Sequence, residues 1–97
     1  MEEKNYFVYI IANVTGKVLY VGMTNNLQRR MVEHRSGSIA GFAQKYRCIR
    51  LLHYEVGQDA YSIIEREKEI KSWRREKKEI LIQVYNPERK DLFETLW

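Results

Sequence analysis

The sequence predicts a small α+β protein in which a three-stranded antiparallel sheet is flanked by helices, in the order ββαβαα. Two patterns carry this prediction. Runs rich in β-branched and aromatic residues fall at 7–12, 18–24 and 47–55, as in strands. Segments with helical spacing of apolar residues follow at 25–36, 59–73 and 75–85. Because the 97 residues contain no repeat, linker or low-complexity tract, we expect one domain spanning 1–97.

The first two strands form a hairpin around a turn that contains Gly16. Since side chains alternate between the faces of a strand, Tyr20 and Gly22 share one face. A turn centred near Thr15 predicts that Tyr9 lies roughly opposite Tyr20, beside a glycine where a ligand or a backbone can come close. Paired tyrosines on strands are also typical of simple packing, so this pair alone does not indicate a function.

The first helix is expected to begin after Asn25, with Gln28 in the capping-box position, and to end near Ser36. One face of this helix should pack on the sheet and contains an arginine and a histidine. Arginine is rarely buried without an anionic partner, which makes it an unusual residue for an inner face. The alternative is an arginine at the rim whose charged end reaches water. The residues of this face are Leu27, Arg30, Met31 and His34.

The remaining elements follow from turn and capping residues. The segment from Ser36 to Lys45 is expected to be an irregular loop or a short helix. Asp59 can cap a second long helix that reaches about Trp73. A further helix over 75–85 should stop before Pro87, because the residue preceding proline avoids helical geometry. The apolar tail at 92–97 is expected to dock back onto the domain.

The second long helix carries a carboxylate on its apolar face. By helical spacing that face consists of Ala60, Ile63, Ile64, Glu67, Ile70 and Lys71. An ionised carboxylate among apolar residues is costly unless a cation compensates it. Lys71, four residues after Glu67, provides a salt bridge as one explanation. A divalent ion held by the carboxylate and water molecules is the other.

Positive charge is concentrated in one stretch of the chain. Between Arg29 and Arg50 there are six basic residues against one acid, a net charge of +5, which leaves −1 for the rest of a chain whose total is +4. Phe42 and Tyr46 lie inside this stretch. The combination predicts a surface that faces nucleic-acid phosphates, although an ordinary solvated basic surface gives the same count.

The composition indicates a reducing, cytoplasmic setting. The single cysteine, Cys48, cannot form an intramolecular disulfide and excludes a multi-cysteine zinc site. No apolar run is long enough to span a bilayer, and the acidic start of the chain is unlike a secretion signal.

Several of these residues together resemble the GIY-YIG nuclease superfamily. The two-part signature is matched by Phe7-Val8-Tyr9 and by Leu19-Tyr20-Val21-Gly22, in which the two tyrosines are eleven positions apart. Phe7-Val8 replaces Gly-Ile, and Val21 replaces an isoleucine. Asn86 is a candidate for an asparagine that some members carry. The resemblance runs from about Tyr6 to Leu92. Within the superfamily, the chain resembles the small stand-alone bacterial members.

The resemblance implies a fold and an activity. The implied fold is the predicted three-stranded antiparallel sheet with helices, and the implied activity is metal-dependent hydrolysis of phosphodiester bonds in DNA. The implied cofactor is Mg²⁺ or Mn²⁺, bound weakly without substrate through Glu67 as the metal ligand. The implied catalytic residues are Tyr9, Tyr20, Arg30, His34 and Glu67, with either tyrosine or His34 as the base. The expected nucleic-acid contacts are Gly22, Arg29, Arg35, Lys45 and Arg47.

Three functions follow as hypotheses. The first is an endonuclease acting in repair or recombination. The second is a module of the same fold that binds nucleic acid without cutting it. The third is a small scaffold whose basic surface contacts a protein. Because the extra DNA-binding domains of the larger family members are not in this sequence, we expect a protein partner or a homodimer to supply targeting.

Overall fold

The computed structural model describes residues 4–97, and its elements follow the predicted order with two short helices added, one between α1 and the third strand and one at the C-terminal end. The three strands form one antiparallel sheet in the order β2-β1-β3. No helix in residues 4–97 is long and apolar enough to cross a membrane. The elements are β1 (Tyr6–Ala12), β2 (Leu19–Thr24), α1 (Leu27–Ser36), α2 (Phe42–Lys45), β3 (Arg50–Gly57), α3 (Ala60–Ser72), α4 (Arg75–Tyr85) and a final 3₁₀ helix (Leu92–Leu96).

The central strand β1 is buried on both faces, and each face of the sheet has its own core. Alternate residues of β1 therefore belong to different cores, as the period of two along a strand requires. The face covered by α3 and α4, here called the α3 face, buries Val8, Ile10, Ala12, Val21, Leu52, Ile63, Ile70 and Ile82. The opposite face, here called the α1 face, buries Tyr9, Ile11, Leu27, Met31, Ala43, Cys48 and Leu51.

A bulge interrupts the pairing of β1 with β3 at Leu52, between two residues that pair with β1. Ile10 pairs with His53 and Ile11 pairs with Leu51, so Leu52 has no partner on β1. An extra residue in one strand bends it and re-aims the neighbouring side chains. Leu51 packs on the α1 face and Leu52 packs on the α3 face, as the alternation of side chains along a strand requires.

The predicted cap of α1 is wrong by one residue. The N-cap is Asn26, whose side-chain oxygen accepts a hydrogen bond from the backbone N of Arg29 at 3.0 Å. The hydroxyl of Thr24 accepts from the backbone N of Asn26 at 3.1 Å, which turns the chain one residue later than expected. Gln28 therefore has no capping-box position, and its side chain donates to the Leu96 carbonyl. At the other end, Gly37 has a positive φ of 75° and closes the helix.

The third strand begins later than predicted, at Arg50 rather than Arg47. Arg47 has a φ of 56°, in the left-handed region, because it ends the short helix α2. The backbone N of Cys48 then donates to the Ala43 carbonyl at 2.9 Å, so Arg47 and Cys48 still belong to that turn, whereas the backbone N of Ile49 already donates to the Ala12 carbonyl of β1 at 3.0 Å. At its far end the strand ends at Gly57, which pairs with Tyr6, two residues beyond the predicted end at Glu55.

The C-terminal segment docks back as predicted. The side chains of Leu92, Phe93 and Leu96 pack against the α1 face. Asp91 anchors the segment by accepting a hydrogen bond from the backbone N of Leu51 at 3.1 Å. Asn86 ends α4 and is buried, and its amide donates to the carbonyls of Leu52 at 3.0 Å and of Lys90 at 2.8 Å. Asn86 therefore has a structural role, because its amide joins the end of α4 to β3 and to the segment before the 3₁₀ helix.

Candidate active site

The site begins with a tyrosine that crosses over a glycine. Tyr9 pairs directly with Gly22, and Tyr20 pairs with Ile11, so the prediction that Tyr9 lies roughly opposite Tyr20 is wrong by two pairs. A Cβ atom on Gly22 would lie 2.4 Å from the Tyr9 hydroxyl oxygen. The Tyr9 ring therefore fills the space over Gly22 and extends towards β2, the outer strand. The rings of Tyr9 and Tyr20 lie diagonally across the ladder, with centroids 6.4 Å apart.

Helix α1 adds a histidine to the two tyrosines. The helical spacing places His34 on the buried face of α1 together with Leu27 and Met31, as predicted. The His34 Nε2 atom lies 2.9 Å from the Tyr9 hydroxyl oxygen. The imidazole also stands edge-on to both phenol rings, with centroids 5.7 Å from Tyr9 and 5.9 Å from Tyr20. Three ring systems from two strands and one helix therefore form one cluster.

Both members of the Tyr9–His34 pair are neutral at pH 7. Burial raises the pKa of Tyr9 to about 12, and the nearby Arg30 opposes this change without reversing it. Burial also lowers the pKa of His34, and the positive charge of Arg30 lowers it further. Taking a charged group out of water disfavours its charged form, which is the phenolate for tyrosine and the imidazolium for histidine. An unassisted Tyr9 phenol is therefore a poor base at neutral pH.

Arg30 lies at the rim of this cluster with one nitrogen unsatisfied. Its side chain is 32% exposed, and its Nε is 3.3 Å from a carboxylate oxygen of Glu33. Even so, among residues 4–97 this Nε is the buried side-chain polar atom that has no hydrogen-bond partner. A buried donor left without a partner costs about 1–3 kcal/mol. An anionic oxygen arriving at this position would remove that cost.

Glu67 lies on helix α3, which covers the face of the sheet opposite to the α1 face. Its helix, α3, packs on the α3 face through Ile63 and Ile70, as the helical spacing predicted. The Glu67 side chain is 18% exposed, and its carboxylate is 3.2 Å from the Lys71 amino group. Its negative charge contributes to raising the pKa of Tyr9, so it acts at the Tyr9 phenol. The predicted site is thus divided between a cluster on the α1 face and a carboxylate from α3.

The surroundings of Glu67 fit a weakly held divalent ion. Within residues 4–97, no three histidine, cysteine, aspartate or glutamate side chains are grouped to hold a metal. A single carboxylate that is partly exposed is the kind of ligand that magnesium uses together with water and substrate oxygens. The competing partner, Lys71, is half exposed, and ion pairs of this kind contribute little. A divalent ion can therefore replace Lys71 at this carboxylate at small cost.

Arg35 is engaged within the protein. Its guanidinium pairs with the Asp91 carboxylate, and it stacks 3.9 Å from the centroid of the Phe93 ring. These contacts join α1 to the C-terminal segment and neutralise part of the charge that the sequence assigned to nucleic acid. Contact between Arg35 and nucleic acid stays a prediction, but the structure gives this residue a structural role.

The other predicted nucleic-acid contacts lie around α2 and the outer side of α1. Arg29, Lys45 and Arg47 are exposed. Arg47 and His34 both border a cleft of about 260 Å³, although His34 is only 6% exposed. Gly22, by contrast, is buried beneath the Tyr9 ring. Its contact with nucleic acid also stays a prediction, and its observed role is to make room for Tyr9.

One neighbour of the cluster was not predicted. Phe42, at the start of α2, stacks on Tyr20 with ring centroids 6.2 Å apart and an angle of 21° between the planes. The sequence indicated only that Phe42 lies in the basic stretch. No signal in the sequence shows this contact, because it depends on how the loop after α1 returns to the hairpin.

Comparison with known proteins gives consistent results. A profile described as the GIY-YIG catalytic domain matches residues 5–80. A UPF0213 protein of Syntrophus aciditrophicus is 39% identical over 87 residues, covering 89% of this chain and 97% of the relative. A UPF0213 protein of Bacillus pumilus is 32% identical over 83 residues, covering 86% of this chain and 84% of the relative. The solution NMR structure of a UPF0213 protein from Bacillus halodurans superposes with a TM-score of 0.57 at 29% identity, covering 88% and 90% of the two chains.

Proposed function

Because this chain belongs to the GIY-YIG family, we propose that it is a divalent-metal-dependent endonuclease that hydrolyses phosphodiester bonds in DNA during repair or recombination. One observation carries the proposal. The Tyr9 phenol links the groups, because its hydroxyl lies 2.9 Å from His34 Nε2 and its pKa responds to the charges of both Arg30 and Glu67. A module that only binds nucleic acid has no need of a carboxylate beside its phosphate-binding groups.

Glu67 is the residue that holds the metal in this proposal. When bound, Mg²⁺ or Mn²⁺ neutralises charge on the scissile phosphate and stabilises the departing 3′ oxygen. The carboxylate must be free of Lys71 for this role, and the exposure of both side chains allows it.

Arg30 and Tyr20 are the groups that touch the phosphate and the attacking water. The guanidinium of Arg30 is partly exposed, and its Nε, which is near Glu33 but makes no hydrogen bond, can donate to a phosphate oxygen as negative charge builds there. Tyr20 is the phenol that reaches the surface, whereas Tyr9 is fully buried. We therefore assign Tyr20 to orienting the water.

His34 takes the proton from the attacking water. It is neutral at pH 7 because its pKa is lowered, and a neutral imidazole can accept a proton. Nε2 is held by Tyr9, so Nδ1 is the nitrogen left for the proton. This assignment requires Nε2 to carry its hydrogen towards the Tyr9 oxygen, so Tyr9 acts as a positioning residue that fixes the tautomer.

The resulting reaction is balanced in atoms and charge. The oxygen of the water forms a bond to phosphorus, and the bond from phosphorus to the 3′ oxygen breaks. One proton of the water moves to Nδ1 of His34, and the departing 3′ oxygen takes a proton from solvent. His34 then returns its proton to solvent, since its lowered pKa favours the neutral form.

A cleavage assay tests this function. The wild-type protein would be incubated with branched, flapped and single-stranded DNA in Mg²⁺, in Mn²⁺ and in a chelator. We expect cleavage that requires the metal and that falls by about 10²-fold or more in Arg30→Gln, the effect expected on removing one charge-stabilising donor.

The matched control is Arg74→Gln, which removes an exposed arginine at the N-cap of α4. This variant should cut like the wild type. A wild-type protein that binds these substrates with salt-dependent affinity but cuts none of them would support the non-catalytic binding module instead.

A further inference from the structure

A ladder of aromatic rings leads from the site to the protein surface. It begins with Tyr20, continues with Phe42 stacked on Tyr20 at 6.2 Å, and ends with Tyr46 at 4.6 Å from Phe42. Phe42 and Tyr46 are four residues apart, which places them on the same side of α2. The inner end of the ladder is the phenol that we assign to the attacking water. A group stacked on its outer end is therefore held next to the reacting phosphate.

The outer rings do not serve the core. The core contact of α2 is made by Ala43, which is 6% exposed, whereas Phe42 is 49% and Tyr46 is 41% exposed. Burying a large aromatic ring is among the strongest stabilising contributions available to a small protein. Two adjacent rings left half in water beside a functional cluster mark a surface for a ligand.

The charge around these rings fits a nucleic acid. The Lys45 amino group lies 5.4 Å from the centroid of the Tyr46 ring. Arg47 follows directly and borders the cleft beside His34. From Arg35 to Arg50 the sequence contains no aspartate or glutamate. Aromatic faces flanked by cations on a segment without acidic residues combine base stacking with phosphate attraction.

We propose that Phe42 and Tyr46 form a stacking platform for an unpaired nucleobase next to the scissile phosphate. This inference rests on the proposed nuclease function and specifies its substrate. In an intact duplex both faces of each base are covered by neighbouring bases, so the platform has nothing to stack on. The preferred substrate is therefore a strand with unpaired bases at the cut, such as a flap, a loop or a free single strand.

Two oligonucleotides with the same phosphates test the platform. One is a single-stranded oligothymidine, and the other has the same length with abasic sites at its central positions. Binding of both to the Glu67→Gln protein would be measured by fluorescence anisotropy, since this variant keeps the platform and is expected not to cut. We expect the intact strand to bind about tenfold tighter, the effect of stacking one base on an aromatic side chain.

Substitutions at Phe42 separate stacking from general contact. Phe42→Leu keeps an apolar side chain without a ring and should lose the preference for the intact strand, while its affinity for the abasic strand stays unchanged. Phe42→Tyr keeps the ring and should keep the preference. Tyr61→Leu removes a ring that is 71% exposed on α3 and should change nothing.

Equal affinities for the two strands, or equal loss of both in Phe42→Leu, would overturn the platform. Loss of the preference in Tyr61→Leu would also overturn it. These outcomes are independent of catalysis, because cutting is measured separately with the wild-type protein. A protein that shows the base preference but never cuts would contradict the nuclease and retain the platform.

Discussion

Gly22 lies directly opposite Tyr9 in the β1–β2 ladder, and the Tyr9 phenol occupies the space that a side chain at position 22 would fill. This packing brings the Tyr9 hydroxyl oxygen to 2.9 Å from Nε2 of His34 on the α1 face of the sheet. A glycine at this position therefore has a steric reason, which is to let one tyrosine cross the neighbouring strand. The backbone of Gly22 does not require it, since its φ lies outside the positive region.

We expect Gly22→Ala to destabilise the fold and to displace Tyr9. The new Cβ would lie 2.4 Å from the Tyr9 hydroxyl oxygen, and overpacking of this kind costs roughly 1–3 kcal/mol. Chemical denaturation would measure the loss. The control is Gly57→Ala, whose Cβ would meet only the side chain of Ile63, at 3.1 Å from Cδ1 and 3.3 Å from Cγ1. Equal stability of the two variants would contradict the steric account of Gly22.

Tyr9→Phe should remove one phenol that titrates near pH 12. Burial raises the pKa of Tyr9 to about 12 from an ordinary value of 10.0, so folding favours its neutral form. Its contribution to stability is complete below about pH 10 and is lost as the pH rises towards 12. NMR of labelled tyrosine rings would follow the titration. We also expect cleavage to fall by about 10²-fold, since the tautomer of His34 is no longer fixed.

The pH dependence of cleavage should follow His34. Its pKa is lowered below the ordinary 6.5, so cleavage should be constant above about pH 7 and fall at acid pH with a midpoint below 6.5. In His34→Gln this acid limb should disappear together with most of the activity. The contribution of His34 to folding stability changes in the same direction, because the unfolded chain binds a proton at this histidine more readily than the folded protein does. This contribution is fully present above the ordinary pKa of histidine and is lost as the pH falls through the lowered pKa of the folded protein. A midpoint above 6.5 would be inconsistent with a buried neutral base.

Nucleic-acid affinity should fall steeply with salt and depend on the basic residues around α2. Neutralising Arg47, as in Arg47→Gln, should reduce the slope of log affinity against log salt concentration by about one, the change expected when one phosphate contact is lost. Lys77→Gln is the matched control, since Lys77 lies over the Trp73 ring on the other side of the protein. Arg35→Gln should instead destabilise the fold, because it breaks the contacts with Asp91 and Phe93. An unchanged salt slope in Arg47→Gln would remove Arg47 from the interface.

The sequence was sufficient for the fold because its local signals agree with one another. The three strands, the cap at Asp59, the end of α4 before Pro87 and the docking of the tail all appear as predicted. The inward faces of α1 and α3 were also predictable, since helical spacing alone defines them. That residues 1–97 form a single domain stays a prediction.

The errors arise where a tertiary contact decides. The α1 cap moved to Asn26 because Thr24 turns the chain, and β3 starts late because Arg47 still ends α2. The exact pairing of Tyr9 depends on the centre of the hairpin turn, which the sequence defines only to within a residue. The full burial of Tyr9 beside the partly exposed Tyr20, on which the proposed roles of the two phenols depend, follows from tertiary packing that the sequence does not show.

The central claim is that Glu67 serves the reaction rather than the fold, and Glu67→Gln tests it most directly. The matched control is Glu65→Gln on the exposed side of the same helix, where the carboxylate is 3.7 Å from Lys68. Cleavage of DNA in Mg²⁺ and thermal unfolding would be measured for both variants.

We expect Glu67→Gln to cut at least about 10²-fold more slowly than Glu65→Gln. Its stability should be unchanged or raised, since a charge on an apolar face is removed and the ion pair with Lys71 is worth under about 1 kcal/mol. Full cleavage by Glu67→Gln, together with a loss of stability matched by Lys71→Met, would show that Glu67 is structural and would contradict the proposed nuclease.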